Sequence, residues 1–251
     1  MAAFASALVI SLAGGVRVAS LDLCADEYLL MLARPAQIAS VSRVSMDPAD
    51  SPLWRVARRY QSNDGSIERV MGARPTLLLS TGGGAKGSAR IAAKLGLTTL
   101  ALPYPATPAD VITNLRRVAA ALGFPHRADA LAADMARLQR SIPAGRDAIF
   151  LGGNGSSVGA TSLGAQWMRL AGLRQRALAG GRATLEQLAL RPPQILLLSD
   201  YRRSQASLGQ QWLDHPLVRR AASRRIVTDG RPWTCGGPLM LAEVERLRSF
   251  R

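Results

Sequence analysis

The sequence predicts an α/β protein of two pseudo-symmetric lobes, with mainly parallel sheets, joined by one long α-helix. Three observations carry this. Short apolar runs alternate with helical stretches in both halves of the chain, about 35 residues of purely helical pattern separate the halves, and a segment of the first half recurs in the second at an offset of 118 residues. Strand, helix and strand in succession means parallel pairing with helical crossovers.

In the first lobe, Val16 to Leu21, Gln37 to Val41, Thr76 to Ser80 and Thr98 to Leu102 read as strands, because each is a short apolar run bounded by polar or turn residues. Ala25 to Ala33, Ser66 to Ala73 and Ser88 to Leu95 read as the helices between them. After Pro103, Pro105 and Pro108 the strand pattern stops and the connector begins, broken once at Gly123-Phe124-Pro125. Its second piece, His126 to Ile142, spaces Leu131, Met135, Leu138 and Ile142 along one stripe and would reach about 25 Å. The second lobe predicts strands at Ala148 to Leu151, Ile195 to Ser199 and Arg225 to Thr228. Its helices are expected near Leu163 to Ala171, from Thr184 to Leu190, and from Pro238 to Phe250. The boundaries are 16–106 for the first lobe, 107–143 for the connector and 144–251 for the second lobe.

The repeat aligns SIERVMGARPTLLLS (Ser66 to Ser80) with TLEQLALRPPQILLL (Thr184 to Leu198) without a gap. Each copy holds a Ser or Thr helix cap, an early Glu suited to the positive helix N-terminus, a proline stop and a buried strand. Two lobes of common design follow.

The 251 residues carry 32 Lys and Arg against 17 Asp and Glu, a formal charge of +15. Clustered cations would suggest nucleic acid, but here they are almost all Arg, spread along the chain without a nucleic-acid-binding signature, so no nucleic-acid partner is expected. Residues 1–15 form an apolar run ending in small residues and read as a secretory signal, although no basic residue precedes Arg17. A soluble exported monomer is expected. No Ser-His-Asp pattern with a nucleophile elbow is present, and the two histidines, His126 and His215, each adjoin a proline. The two cysteines, Cys24 and Cys235, have no zinc-type spacing, and no metal site is expected.

The opening RVASLDLCADEYLLMLA, the stretch SNDGSIERVMGARPTLLLS, the helical connector and the later TLEQLALRPPQILLLSD together resemble the helical-backbone substrate-binding proteins of ABC importers, the class III periplasmic binding proteins. Those proteins carry cobalamin, haem or ferric siderophores to an inner-membrane permease dimer. The resemblance covers essentially all of the chain after the signal. It implies a non-enzymatic receptor without an intrinsic cofactor, whose bound ligand is an iron chelate, haem or corrinoid. It also implies that Glu68 and Glu186 form ion pairs with arginines of the permease. Read as helix N-terminal carboxylates alone, they would be worth about 0.3–1 kcal/mol each. The alternative reading is a cytoplasmic tetrapyrrole metal-chelatase-like enzyme, which also clamps its ligand between two α/β lobes.

Ligands of open α/β units sit beyond the carboxyl ends of parallel strands. That rule selects Cys24, Arg43, Ser62, Asn63 and Gly83 from the first lobe, with Gly153, Asn154, Tyr201, Arg202, Trp233 and Cys235 from the second. Arg43 and Arg202 would meet anionic groups of a chelate, Tyr201 and Trp233 would pack on it, and the glycine-rich loops would lie flush against it. Neither glycine-rich loop fits the P-loop pattern, since Lys86 is followed by Gly87. Trp54, Trp167 and Trp212 are assigned to the core or lobe surface. Corrinoid-binding relatives often carry a tryptophan six residues before each docking Glu, and this chain departs from them with Ser62 and Gly180. Under this mapping Cys24 and Cys235 both face the cleft. The reading preferred is two separate half-buried thiols, the others being a disulfide between lobes or a thiolate meeting the ligand's metal.

Overall fold

The computed structural model describes residues 15–250 apart from 83–85, 203 and 206, so the signal reading of 1–15 and the site residue Gly83 lie outside the described residues save for Gly15. The first lobe runs β1 (Val18–Ser20), α1 (Leu23–Leu32), β2 (Ile38–Ser42), α2 (Trp54–Ala57), β3 (Gln61–Asn63), α3 (Ile67–Gly72), β4 (Leu77–Thr81), α4 (Lys86–Lys94) and β5 (Thr98–Leu102). Then come α5 (Pro108–Ala121), a 3-10 turn (Pro125–Ala128) and α6 (Asp129–Arg140). The second lobe comprises β6 (Arg146–Leu151), α7 (Leu163–Leu170), β7 (Leu173–Gln175), α8 (Leu185–Leu190), β8 (Ile195–Ser199), α9 (Leu208–Leu213), α10 (Pro216–Arg219), β9 (Arg224–Thr228), α11 (Arg231–Cys235) and α12 (Met240–Arg248).

Every strand pairing is parallel, in the order β3-β2-β1-β4-β5 in one sheet and β7-β6-β8-β9 in the other. The repeat seen in the sequence is a structural repeat. Adding 118 to the bounds of α3 and β4 gives those of α8 and β8. Ser66 caps α3 by accepting the Arg69 N–H, and Thr184 caps α8 by accepting that of Gln187.

The leucine runs of β4 and β8 are buried on both faces because each sheet is covered on both sides. Leu77 and Leu79, with Ile195 and Leu197, join one core that also takes in Tyr28, Leu115, Met135, Trp167 and Val244. That core passes beneath both sheets through α1, α5, α6, α7 and α12. The alternate residues form separate outer clusters, Leu78 with Ala19 and Val70 in the first lobe, Leu196 and Leu198 with Leu188 and Val218 in the second. The lobes therefore share their inner core and differ only in their outer layers.

Several expectations are corrected. The single long connecting helix is two helices, 14 and 12 residues long, separated at Gly123, which has a φ of +80°. Residues 125–128 take the tighter 3-10 form, so α6 is about 18 Å long rather than about 25 Å. Ile142 falls beyond its end and is exposed, leaving Met135 and Leu138 as the buried stripe. The first strand is three residues, not six. The last helix begins at Met240, and the stretch expected as a loop before it is the short helix α11, with Pro232 in its first turn where the missing N–H costs nothing. α2, β3, β7, α9 and α10, three to six residues each, were not expected, because none falls in an apolar run or helical stretch recognised in the sequence.

Candidate functional site

The loops beyond the carboxyl ends of the two sheets face each other, and the helices that follow them add contacts between the lobes. The side chain of Asp22 caps α1, accepting the Ala25 N–H at 2.8 Å, and its other oxygen accepts the Thr81 N–H at 2.8 Å, which pins α1 to the end of β4. One turn on, Asp26 is fully buried and accepts the Ser42 N–H at 3.0 Å and the Ser45 hydroxyl at 2.5 Å. Its neighbour Glu27 faces the second lobe, with its Oε2 oxygen against Gly237. Burial with no neighbouring cation among these contacts pushes both carboxyls well above the usual carboxylate range.

Close approach at this point depends on two glycines. Gly236 closes α11 in the left-handed region, φ +58°, and its carbonyl accepts the indole N–H of the buried Trp167 at 3.0 Å. A Cβ on Gly237 would lie 2.4 Å from the Glu27 Oε2 oxygen. Beside them Cys24 of α1 and Cys235 of α11 form a disulfide, with Cα atoms 5.3 Å apart. The preferred sequence reading of two separate thiols is thereby corrected. The packing that puts Gly236 and Gly237 against α1 brings the sulfurs together, and a disulfide sulfur carries no thiolate for a metal.

Two further groups of contacts flank the disulfide. On one side Asp50, nearly buried, accepts the Tyr201 hydroxyl at 2.8 Å and three hydrogen bonds from the Arg202 guanidinium at 2.7, 2.8 and 2.9 Å. Arg202 is held in the left-handed region, φ +51°, to make them. Arg231 donates to the Pro48 carbonyl at 2.8 Å alongside. On the other side the Tyr104 hydroxyl reaches the Thr234 carbonyl at 3.4 Å, and Gln166 donates to the Ala106 carbonyl at 2.9 Å. Partial desolvation and the nearby Glu27 carboxyl raise the phenol of the half-exposed Tyr104, which stays neutral.

The floor so formed has a cavity at each end. The polar one, about 260 Å³, is bounded by Pro48, Asp200, Arg202, Asp229 and Arg231. Its charges are largely matched within the protein, Arg231 to Asp229 at 2.7 Å and Arg202 to Asp50. The more apolar one, about 400 Å³, is bounded by Tyr104, Val158, Leu163, Trp167 and Trp233. Trp233 is fixed there by its indole N–H to the Thr228 hydroxyl at 2.8 Å and by Phe150, whose ring centre lies 4.9 Å away. Flat apolar walls with a few fixed polar groups suit the organic body of a ligand of a few hundred Å³.

The predicted site residues divide. Cys24, Tyr201, Arg202, Trp233 and Cys235 come together on the cleft floor. Arg43 and Ser62 are exposed and border a smaller hollow of about 120 Å³ in the first lobe. Gly153 and Asn154 lie on the second lobe's rim, against Gly209 at the start of α9, and Asn154 has a φ of +59°. Asn63 is buried and turned inward, its amide donating to the Ser20 carbonyl and the Ser40 hydroxyl, both at 2.9 Å, so it ties strand ends together. Sequence reasoning missed Asp50, Glu27 and Tyr104. A carboxylate pair inside the otherwise apolar CADEYLLML was a usable signal for Glu27, and a tyrosine between two prolines one for Tyr104; Asp50 had none.

Two lobes with facing parallel sheets, a shared core and a cleft at the strand ends define a two-lobed α/β binding protein. Residues 18–210 match the periplasmic binding protein family, and the chain belongs to it. No curated protein matches the chain in sequence alone. Among solved structures it is similar in fold to a periplasmic heme-binding protein from Pseudomonas aeruginosa, at 22% identity and a TM-score of 0.66, covering 93% of this chain and 91% of that one. It is also similar to the periplasmic vitamin B12 binding protein BtuF of Vibrio cholerae, at 15% and 0.67, covering 94% and 96%. A third is the siderophore binding protein BauB, bound to a complex of two acinetobactin molecules and ferric iron, at 15% and 0.70, covering 94% and 90%. The helices that cover the two sheets are short, and none among the described residues is long and apolar enough to cross a membrane.

Proposed function

We propose that this protein is the periplasmic substrate-binding component of an ABC importer, a monomer that takes a metal chelate into the cleft between its lobes and delivers it to an inner-membrane permease dimer. The lobes are 16–106 and 144–251, the connector is 107–143, and 1–15 is the export signal. The ligand is haem, a corrinoid or a ferric siderophore, in keeping with what the similar proteins of known structure are described as binding. It rests on Tyr104, Trp233 and the disulfide, within reach of Arg43, Ser62, Gly153 and Asn154 on the rim.

The observation that carries this reading is the pair Glu68 and Glu186. Both are exposed in the first turn of helices that the internal repeat makes equivalent, one on each lobe, and neither is in an ion pair among the described residues. A pseudo-two-fold pair of anions suits a two-fold partner that supplies cations. Capping alone would not require Glu in both lobes. The test is a thermal-shift screen of the purified protein against haem, cobalamin, cobinamide and several ferric siderophores. One of them is expected to raise the unfolding temperature at micromolar concentration, by mass action on the folded state. Glu68→Lys with Glu186→Lys is expected to abolish permease-coupled uptake while leaving that shift intact. If no chelate stabilises the protein, or if the double variant loses ligand binding, the reading is wrong.

A further inference from the structure

The two equivalent helices differ in one respect that neither lobe's packing explains. α8 exposes Leu190 to 80%, one of the two most exposed large apolar side chains among the described residues, four positions after Glu186 and on the same helical face. Its exposure is not the result of a poorly seated helix, since Leu188 of the same turn is fully buried in the outer core of the second lobe. α10, which packs against α8, repeats the pattern by burying Val218 and exposing Leu217 to 42%. The repeat places Gly72 where α8 has Leu190. A Cβ there would meet nothing within 4 Å, so the first lobe has room for the same side chain and does not carry it.

We propose that Leu190, with Leu217 of the adjoining α10, is the apolar anchor of the second lobe on the importer's permease. It seats in a hollow of that membrane protein next to the cation that pairs with Glu186. This rests on the importer reading above. The occupant follows from the chemistry of the face. Glu186 is an exposed anion without an ion pair among the described residues, and a leucine one turn away is left in water. A partner surface with a cation bordering an apolar hollow satisfies both. The first lobe has Gly72 at the matching position and exposes Met71 to 38% one residue earlier, so the two docking faces are unequal.

The experiment is a titration of ligand-loaded receptor onto its importer's permease dimer in nanodiscs, with lipid-only nanodiscs as the reference. Leu190→Ala and Leu190→Asp are measured beside Glu186→Lys and Gly72→Leu. Both Leu190 variants are expected to unfold at the wild-type temperature, because the side chain is exposed, and to bind the permease about tenfold more weakly or worse. Gly72→Leu is expected to bind no more weakly than wild type. Wild-type affinity in Leu190→Ala together with loss of binding in Glu186→Lys would overturn the anchor and leave the importer reading standing. No effect of any variant on permease binding would overturn both. Equal binding to lipid-only nanodiscs would overturn the permease as occupant.

Discussion

Asp50 shows how much of the cleft rests on single side chains. It takes four hydrogen bonds from Tyr201 and Arg202 across the lobe interface while itself almost out of contact with water. Asp50→Ala leaves the guanidinium without its acceptor and the left-handed turn at Arg202 without its reward. Arg202 is still partly in water, which limits the loss to about 1–2 kcal/mol. The midpoint of denaturant unfolding measures it, and the radius of gyration in solution should rise as the cleft edge opens. Glu27 works in the opposite sense. Its carboxyl binds a proton more tightly in the folded than in the unfolded chain, because burial disfavours its charged form. The resulting stability is complete below its ordinary value of 4.5 and is lost as pH rises through the raised folded value. The protein is therefore expected to be more stable at pH 5 than at pH 7, and Glu27→Gln to flatten that dependence in thermal unfolding. An unchanged slope would show that another group is responsible.

At the scale of elements, two six-residue helices with the same caps stand over two five-residue strands with the same burial. Helices this short are not stable by themselves, so each relies on its cap and on one buried anchor, Val70 or Leu188. Thr184→Ala removes the oxygen that accepts the Gln187 N–H, and with it one side of a capping box. It is expected to cost about 1 kcal/mol by chemical denaturation and, under the docking role proposed for Glu186, to weaken permease coupling by loosening the turn that holds it. Replacement by Ser should restore both. The helices and central strands of this repeat were legible in the sequence because their caps, apolar runs and prolines fall at fixed spacings. β3, β7, α9 and α10 were not, being held by edge pairing and tertiary contact. The break of the connector was legible at Gly123-Phe124-Pro125, and the 3-10 turn that shortens its second piece was not.

Over the whole molecule the disulfide is the longest-range covalent tie, joining residues 211 positions apart and on opposite sides of the cleft. Closing so long a loop restricts the unfolded chain strongly, and its loss is expected to cost about 2–5 kcal/mol. Reduction, or Cys24→Ser with Cys235→Ser, should lower the unfolding temperature accordingly. Because the shared core already joins the lobes behind the cleft, the reduced protein should stay folded and show its faster amide exchange at the cleft-facing ends of α1 and α11. Separation into two independently unfolding lobes would contradict the continuous core.

The sequence by itself determined what depends on local chemistry and on repetition: the α/β class, the parallel crossovers, the two-lobed plan and the equivalence of Glu68 with Glu186. Caps, apolar periods and prolines act over a few residues, and a repeat needs only to be compared with itself. The tertiary structure decided what lies across the cleft, including the Cys24–Cys235 disulfide, the clasp of Asp50 on Tyr201 and Arg202 and the burial of Glu27 against Gly237, and, within the first lobe, the inward turn of Asn63. Those contacts join residues up to 211 positions apart, and no local pattern encodes which of them meet until both sheets are formed and packed on one core.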